Sequence, residues 1–135
     1  MNLSWLGAYR DLGILILRAG IGIMMVVHGW PKLAGGQEKW VEIGGAMQHL
    51  GISFWPVFWG FLAAMSETLG GALLAVGFLT RYAAISLTFT MIVATTMMYH
   101  IGKGDPLQWS HPAELGIVFV SLLIIGAGKY SVDRS

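Results

Sequence analysis

The stretch FWPVFWGFLAAMSETLGGALLAVGFL (54–79), followed after TRY (80–82) by AAISLTFTMIVATTMMYH (83–100), decides the fold. Each run is apolar and close to the roughly 20 residues a helix needs to cross a bilayer, for which about 17–25 are accepted. Working outward, two more runs share this character, at 11–30 and at 111–128. The expected fold class is all-α: a four-transmembrane-helix bundle forming one domain over 1–135. Composition agrees, with 56% of residues hydrophobic and 11% charged, against roughly 25% charged in soluble domains.

Four spans, three connections and two tails account for the 135 residues, so no soluble catalytic domain is expected among them. The segment MNLSWLGAYRD (1–11) does not read as a secretory signal. It holds one Arg before Asp11, and the apolar run behind it passes into HGWPKL (28–33) without a clear small-residue cleavage site. The first run is therefore read as a retained span. The chain has no cysteine, which excludes disulfides, thiolate chemistry and Cys-ligated metal centres. A net charge of +1 and the lack of a basic run give no sign of a nucleic-acid partner.

An even number of spans puts both termini on one face, side A. That face holds Arg10, Arg81, Lys129 and Arg134, while the opposite face, side B, holds Lys32, Lys39 and Lys103. This small cationic excess places side A in the cytoplasm. Trp30, Trp55, Trp59 and Trp109 at side B, and Tyr82 and Tyr130 at side A, fit interfacial aromatic belts. In the first connection, EKWVEIGGAMQHL (38–50) sets Trp40, Ile43, Met47 and Leu50 at helical spacing. Its paired glycines weaken that helix, which reads as a short amphipathic segment on the side B interface. TRY (80–82) reads as a tight turn. Ser110, Pro112 and Glu114 read as the cap and first turn of the last helix.

Charge inside hydrocarbon costs ~2.5–3.5 kcal/mol per residue on insertion scales, so it usually faces a partner, a cavity or a ligand. Arg18 lies about seven residues in from side A and Glu67 about twelve, levels that differ by roughly 7–8 Å at the helical rise. An Arg18–Glu67 pair is the expected arrangement, either structural or engaged in ligand or proton handling. A second group, His28, His100, His111 and Glu114, gathers near side B on three helices. His111 and Glu114 are three apart and so share a helix face. Such a group can form a quinone headgroup site, a proton relay or a metal site, or simply be interfacial. Haem between His28 and His100 lacks any attachment motif, and no metal site is expected. The expected functional site is an interhelical cavity opening toward side B, lined by His28, Glu67, His100, His111 and Glu114. Glu67, His28 and Glu114 are its candidates for proton transfer.

Three pieces of the chain carry a family resemblance: LRAGIGIMMVVHGWPKLAGG (17–36), SETLGGALLAVGFLTRYAA (66–84) and HPAELGIVFVSLLIIGAGKYSVD (111–133). Together they resemble the DoxX family of small four-helix bacterial membrane proteins over nearly the full length. The resemblance marks His28, Lys32, Glu67, Gly70, Gly71, Thr80, Arg81, Glu114, Tyr130, Ser131 and Asp133. It implies a multi-pass protein of the bacterial inner membrane linked to oxidoreductase chemistry, as a subunit and not a stand-alone catalyst. A quinone in an apolar groove between the helices fits such a subunit, and Arg18, His100, His111 and Arg81 are its further expected contacts. No flavin or nicotinamide fingerprint is present. The implied partners are the lipid bilayer and either a second protein subunit or further copies of the chain. Two other readings stand beside it: a small proton, ion or solute transporter working as an oligomer, and a scaffold that recruits a redox enzyme to the membrane.

Overall fold

A computed structural model describes residues 2–134, and among them the fold is helical with no strand. Four stretches are long and apolar enough to cross a membrane: Ser4–Ala34, Pro56–Val76, Thr80–Ile101 and Pro106–Ile125. The first is a 3-10 stretch, Ser4–Tyr9, continuing into α1 (Arg10–Ala34). The second is compound: α3 (Pro56–Met65), a π-helical turn (Ser66–Gly70) and α4 (Gly71–Val76). The third and fourth are α5 (Thr80–Ile101) and α6 (Pro106–Ile125).

The first connection is structured. The helical spacing of Trp40, Ile43 and Met47 appears as α2 (Gly36–Gly44) followed by a 3-10 turn (Gly45–Leu50). Met47 is buried, whereas Leu50 is exposed. Of its paired glycines Gly44, together with Gly60 of α3, lets the two helices approach backbone to backbone. A Cβ built on Gly44 would fall 1.7 Å from the Pro56 carbonyl oxygen, and one on Gly60 would fall 1.6 Å from that of Trp40. Close approach of this kind is how small residues drive helix contacts in lipid.

Two boundaries differ from expectation. The turn after the second span is Gly77–Phe78–Leu79 and not 80–82, because α5 already begins at Thr80. Gly77 has φ +76, and a Cβ there would meet Ser131 Cβ at 2.3 Å, so only glycine fits. The last helix begins at Pro106, not at Ser110–Pro112. Asp105 caps it by accepting from the Leu107 backbone N–H at 3.1 Å, and Pro106 takes the first position. The sequence offers two cap–proline signals in tandem and the upstream one prevails. Pro112 then lies inside α6, and Glu114 stands in the helix interior instead of at its N-terminus.

The core lies where α1, α4, α5 and α6 meet, in Met25, Leu74, Ala84, Leu87, Met91, Phe119 and Leu122. Many other large apolar side chains point outward, as Ile16, Ile23, Ile85, Phe89 and Ile92 do. In water this exposure would be ruinous; in a bilayer it is the lipid-facing surface.

A buried carboxylate at the helical break

Glu67 lies in the π turn and is 5% exposed. A π turn inserts an extra residue into the helical ladder and commonly marks functional positions. The turn is supported locally: the Thr68 hydroxyl donates to the Ala64 carbonyl at 2.8 Å. On the α5 side, Thr90 Oγ1 donates to Ser66 Oγ at 3.1 Å, and Ser66 also meets the Ser86 hydroxyl. These bonds brace the irregular segment internally and tie it to α5.

Both carboxylate oxygens of Glu67 accept from Lys32 Nζ, at 3.0 and 2.9 Å. Lys32 comes from the last turn of α1 and its side chain is 34% exposed. Side chains on a helix lean toward its N-terminus, which carries the ammonium down over Gly29 to the carboxylate. Gly29 is what admits Glu67 there, since a Cβ on it would lie 2.7 Å from Glu67 Cβ and from Thr68 N. The Lys32 carbonyl also accepts from Trp40 Nε1 at 3.2 Å, tying the pair to α2. Trp40 in turn packs edge-on against Phe61 of α3, with ring centroids 5.0 Å apart.

The expected Arg18–Glu67 pair does not form. Gly22 and Gly71 stand opposite one another, and from that level Arg18 lies four residues toward side A and Glu67 four toward side B. The separation is about 12 Å along the axis at the helical rise, beyond mutual reach. Depth counted inward from assumed span ends placed the register wrongly. Arg18, 1% exposed, instead donates to backbone carbonyls: Ala127 through Nη1, and Tyr130 (2.8 Å) and Ala75 (3.5 Å) through Nη2.

The Ala127 and Tyr130 carbonyls belong to a C-terminal segment folded back over side A, and that of Ala75 belongs to α4. The Lys129 backbone N–H donates to Asp11 Oδ1 at 3.2 Å. Asp133 accepts from the backbone N–H groups of Leu79 (3.0 Å) and Thr80 (2.8 Å), capping α5 from a distant part of the chain. The Thr80 N–H foremost, with that of Leu79 and the Arg18 charge adding to it, holds the Asp133 carboxyl below the usual carboxylate range, against a smaller opposing effect of burial. The Tyr130, Ser131 and Asp133 pattern is thus a clamp on the turn between α4 and α5.

The proposed side B cavity is not assembled by the residues expected to line it. His28, His100, His111 and Glu114 are all exposed, while Glu67 is buried and held by Lys32. His100 stacks on His49 at 4.8 Å with rings 10° from parallel, a partner not anticipated from sequence. Arg81 is exposed and donates from Nε to the Leu123 carbonyl at 3.1 Å, bracing α5 against α6. Among the described residues, no group of three or more His, Asp or Glu side chains is placed to hold a metal ion. Two open apolar grooves do mark the surface, and none of those five residues lines either. One, of about 620 Å³, is lined by Trp40, Trp55, Pro56, Val57, Phe58 and Phe61. The other lies between Thr95, Thr96, Tyr99 and Trp109.

Lys32 is the functional candidate that reading by depth overlooked. The signal existed, since the HGxxK pattern marks it, but nothing in the linear sequence paired it with Glu67.

Comparisons with known proteins agree with this architecture. The chain is 30% identical over 129 residues to the inner membrane protein YqjF of Escherichia coli K12, covering 93% of this chain and 92% of that one. It is 25% identical over 138 residues to the inner membrane protein YphA of the same organism, covering 95% and 93%. It is 32% identical over 84 residues, 62% of this chain and 58% of the other, to a Bacillus subtilis 168 protein named "Putative oxidoreductase CatD". No solved structure matches. The DoxX family model matches residues 13–100, a stretch that holds nearly all of α1, the first connection, the helical break with Glu67 and nearly all of α5: the chain belongs to the DoxX family.

Proposed function

We propose that this protein is the membrane subunit of a quinone-linked oxidoreductase or oxidative-stress system, with the Lys32–Glu67 pair as its headgroup and proton site. The observation that carries this reading is the ion pair itself: a buried carboxylate held on both oxygens by a partly exposed ammonium, at a break in a membrane-spanning helix. An ammonium has three donors and Glu67 takes two, so one remains for an incoming carbonyl oxygen. Glu67 can accept or return a proton once Lys32 is drawn to a ligand.

The aromatic groove suits the apolar part of such a ligand. Its wall residue Trp40 is bonded to the Lys32 carbonyl, so groove and ion pair share one side chain. Apolar walls with a few converging polar groups are the usual form of a small-molecule site. A quinone, when bound, supplies two-electron redox chemistry at ring oxygens that must gain or lose protons. The word oxidoreductase in the name of one relative points the same way.

Mass spectrometry of quinones retained through purification in mild detergent tests this. Retention by the parent protein, with loss on Lys32→Met and loss of proton-coupled partner activity on Glu67→Gln, is the expected outcome. Full quinone retention and activity in both variants would remove the site from consideration. Proteoliposome flux that depends on Glu67 would favour the transport reading in its place.

A further inference from the structure

A carboxylate and an imidazole stand on the outward face of a membrane-spanning helix. His111 and Glu114 of α6 are both exposed, and among the described residues their side chains make no hydrogen bond or ion pair. Because α6 starts at Pro106, Glu114 is eight residues into the helix, roughly 12 Å from its side B end. Lipid tails offer the pair no partner, and intramembrane charge that faces lipid is rare for that reason.

The rest of the face matches a helix–helix seam. Leu107, His111, Glu114, Ser121 and Ile125 recur at intervals of four, three, seven and four, one stripe along the helix, while Val118 in the same register packs partly against the protein's own core. Ile117 and Ile124 flank it and are 67% and 75% exposed. Of the four spans, α6 is the least covered: 11% of its most apolar window is buried, against 33% for the second span.

We infer that this face is the interface with a second copy of the same chain, in which His111 of each copy pairs with Glu114 of the other. Copies of one membrane protein share an orientation, so a two-fold axis along the membrane normal sets their α6 helices parallel and at equal depth. The patch then meets itself, as an isologous contact requires. Acid and base are one helical step apart on one stripe, so the parallel pairing brings each Glu114 beside the opposing His111. The patch is self-complementary in charge, which favours a second copy over an unrelated protein. The inference is independent of the quinone reading, since neither residue touches Lys32 or Glu67.

The absence of cysteine makes the test clean. Single cysteines at Ile117 (α6) and at Ile92, an exposed position on α5, are introduced into the full chain and oxidised in native membranes. Ile117→Cys is expected to form a self-crosslinked dimer and Ile92→Cys is not. Adding His111→Leu and Glu114→Leu should lower the Ile117→Cys crosslink about tenfold or more, two interhelical polar pairs being lost. These replacements suit lipid, and monodisperse elution in detergent verifies folding. Crosslinking at Ile92→Cys alone, an Ile117→Cys crosslink insensitive to the leucine pair, or an Ile117→Cys adduct with a different polypeptide in place of the dimer would each overturn the inference.

Discussion

Gly22 of α1 and Gly71 of the second span touch backbone to backbone: a Cβ on Gly22 would sit 2.6 Å from the Gly71 carbonyl oxygen, and one on Gly71 would sit 2.7 Å from that of Gly22. This contact fixes the register of the two helices and sends Arg18 and Glu67 to different neighbourhoods. Backbone atoms cannot yield as a flexible side chain can. Gly22→Ala and Gly71→Ala should each cost about 1–3 kcal/mol, as overpacked cores do. Gly20, also in α1, faces open space, so Gly20→Ala should be neutral or stabilising by up to about 1 kcal/mol. Thermal unfolding in detergent ranks the three; equal effects at Gly20 and Gly22 would contradict the packing.

Removing Lys32 leaves a buried carboxylate without its counter-charge. Lys32→Met should cost about 3–5 kcal/mol by analogy with broken buried pairs in soluble proteins, whereas Lys32→Met with Glu67→Gln should recover much of that loss. The double-mutant cycle is measured by unfolding in detergent. Additive losses would mean that the two groups do not interact.

Arg18 serves several carbonyls at once, a task that suits a planar guanidinium and not a point charge. Arg18→Lys should therefore loosen the C-terminal segment although the charge is kept. Trypsin cleavage after Lys129 reads the change directly: the bond should be resistant in the parent protein and cut faster in the variant. Unchanged digestion would show that Arg18 does not hold the segment.

The Asp133 cap gives a pH dependence of known sign. Its carboxyl is held below the ordinary value by the Thr80 N–H and lesser contacts, so it stabilises the fold above the unfolded value of about 3.9. That contribution fades as pH falls through this value toward the folded one. Asp133→Ala should cost about 0.5–2 kcal/mol at neutral pH, as lost helix caps do. The gap between parent and variant melting temperatures should narrow below about pH 4. A gap constant from pH 7 to pH 3 would contradict the capping role.

With four spans, both termini should report the same compartment, and from the cationic excess of side A that compartment is expected to be the cytoplasm. Reporter fusions at each end check this. Opposite compartments would require an odd number of crossings.

Apolar run length gave the spans away, because lipid demands about 20 apolar residues whatever the tertiary contacts. Helix ends were less legible: Asp105–Pro106 and Ser110–Pro112 are both sound start signals, and only the folded chain chooses between them. Pairing was least legible. Arg18 and Glu67 looked like partners because each is costly alone, but which charges meet depends on the glycine-set register of α1 and on a π turn that no hydrophobic pattern announces. The histidines illustrate the same limit. Shared depth put His28, His100 and His111 together, whereas the fold leaves all three exposed, and His49 arrives from the connection to stack on His100.

The contacts of Arg18 also order events in time. Its partners at Ala127 and Tyr130 lie 109 and 112 positions later in the chain. During synthesis the first span enters the membrane carrying a guanidinium whose carbonyl acceptors do not yet exist. It must stay near water or headgroups until the fourth span is in place and the segment after it folds back. Such distant closures are the slow steps of folding. Insertion of α1 and completion of the bundle are therefore separate events, joined by one arginine.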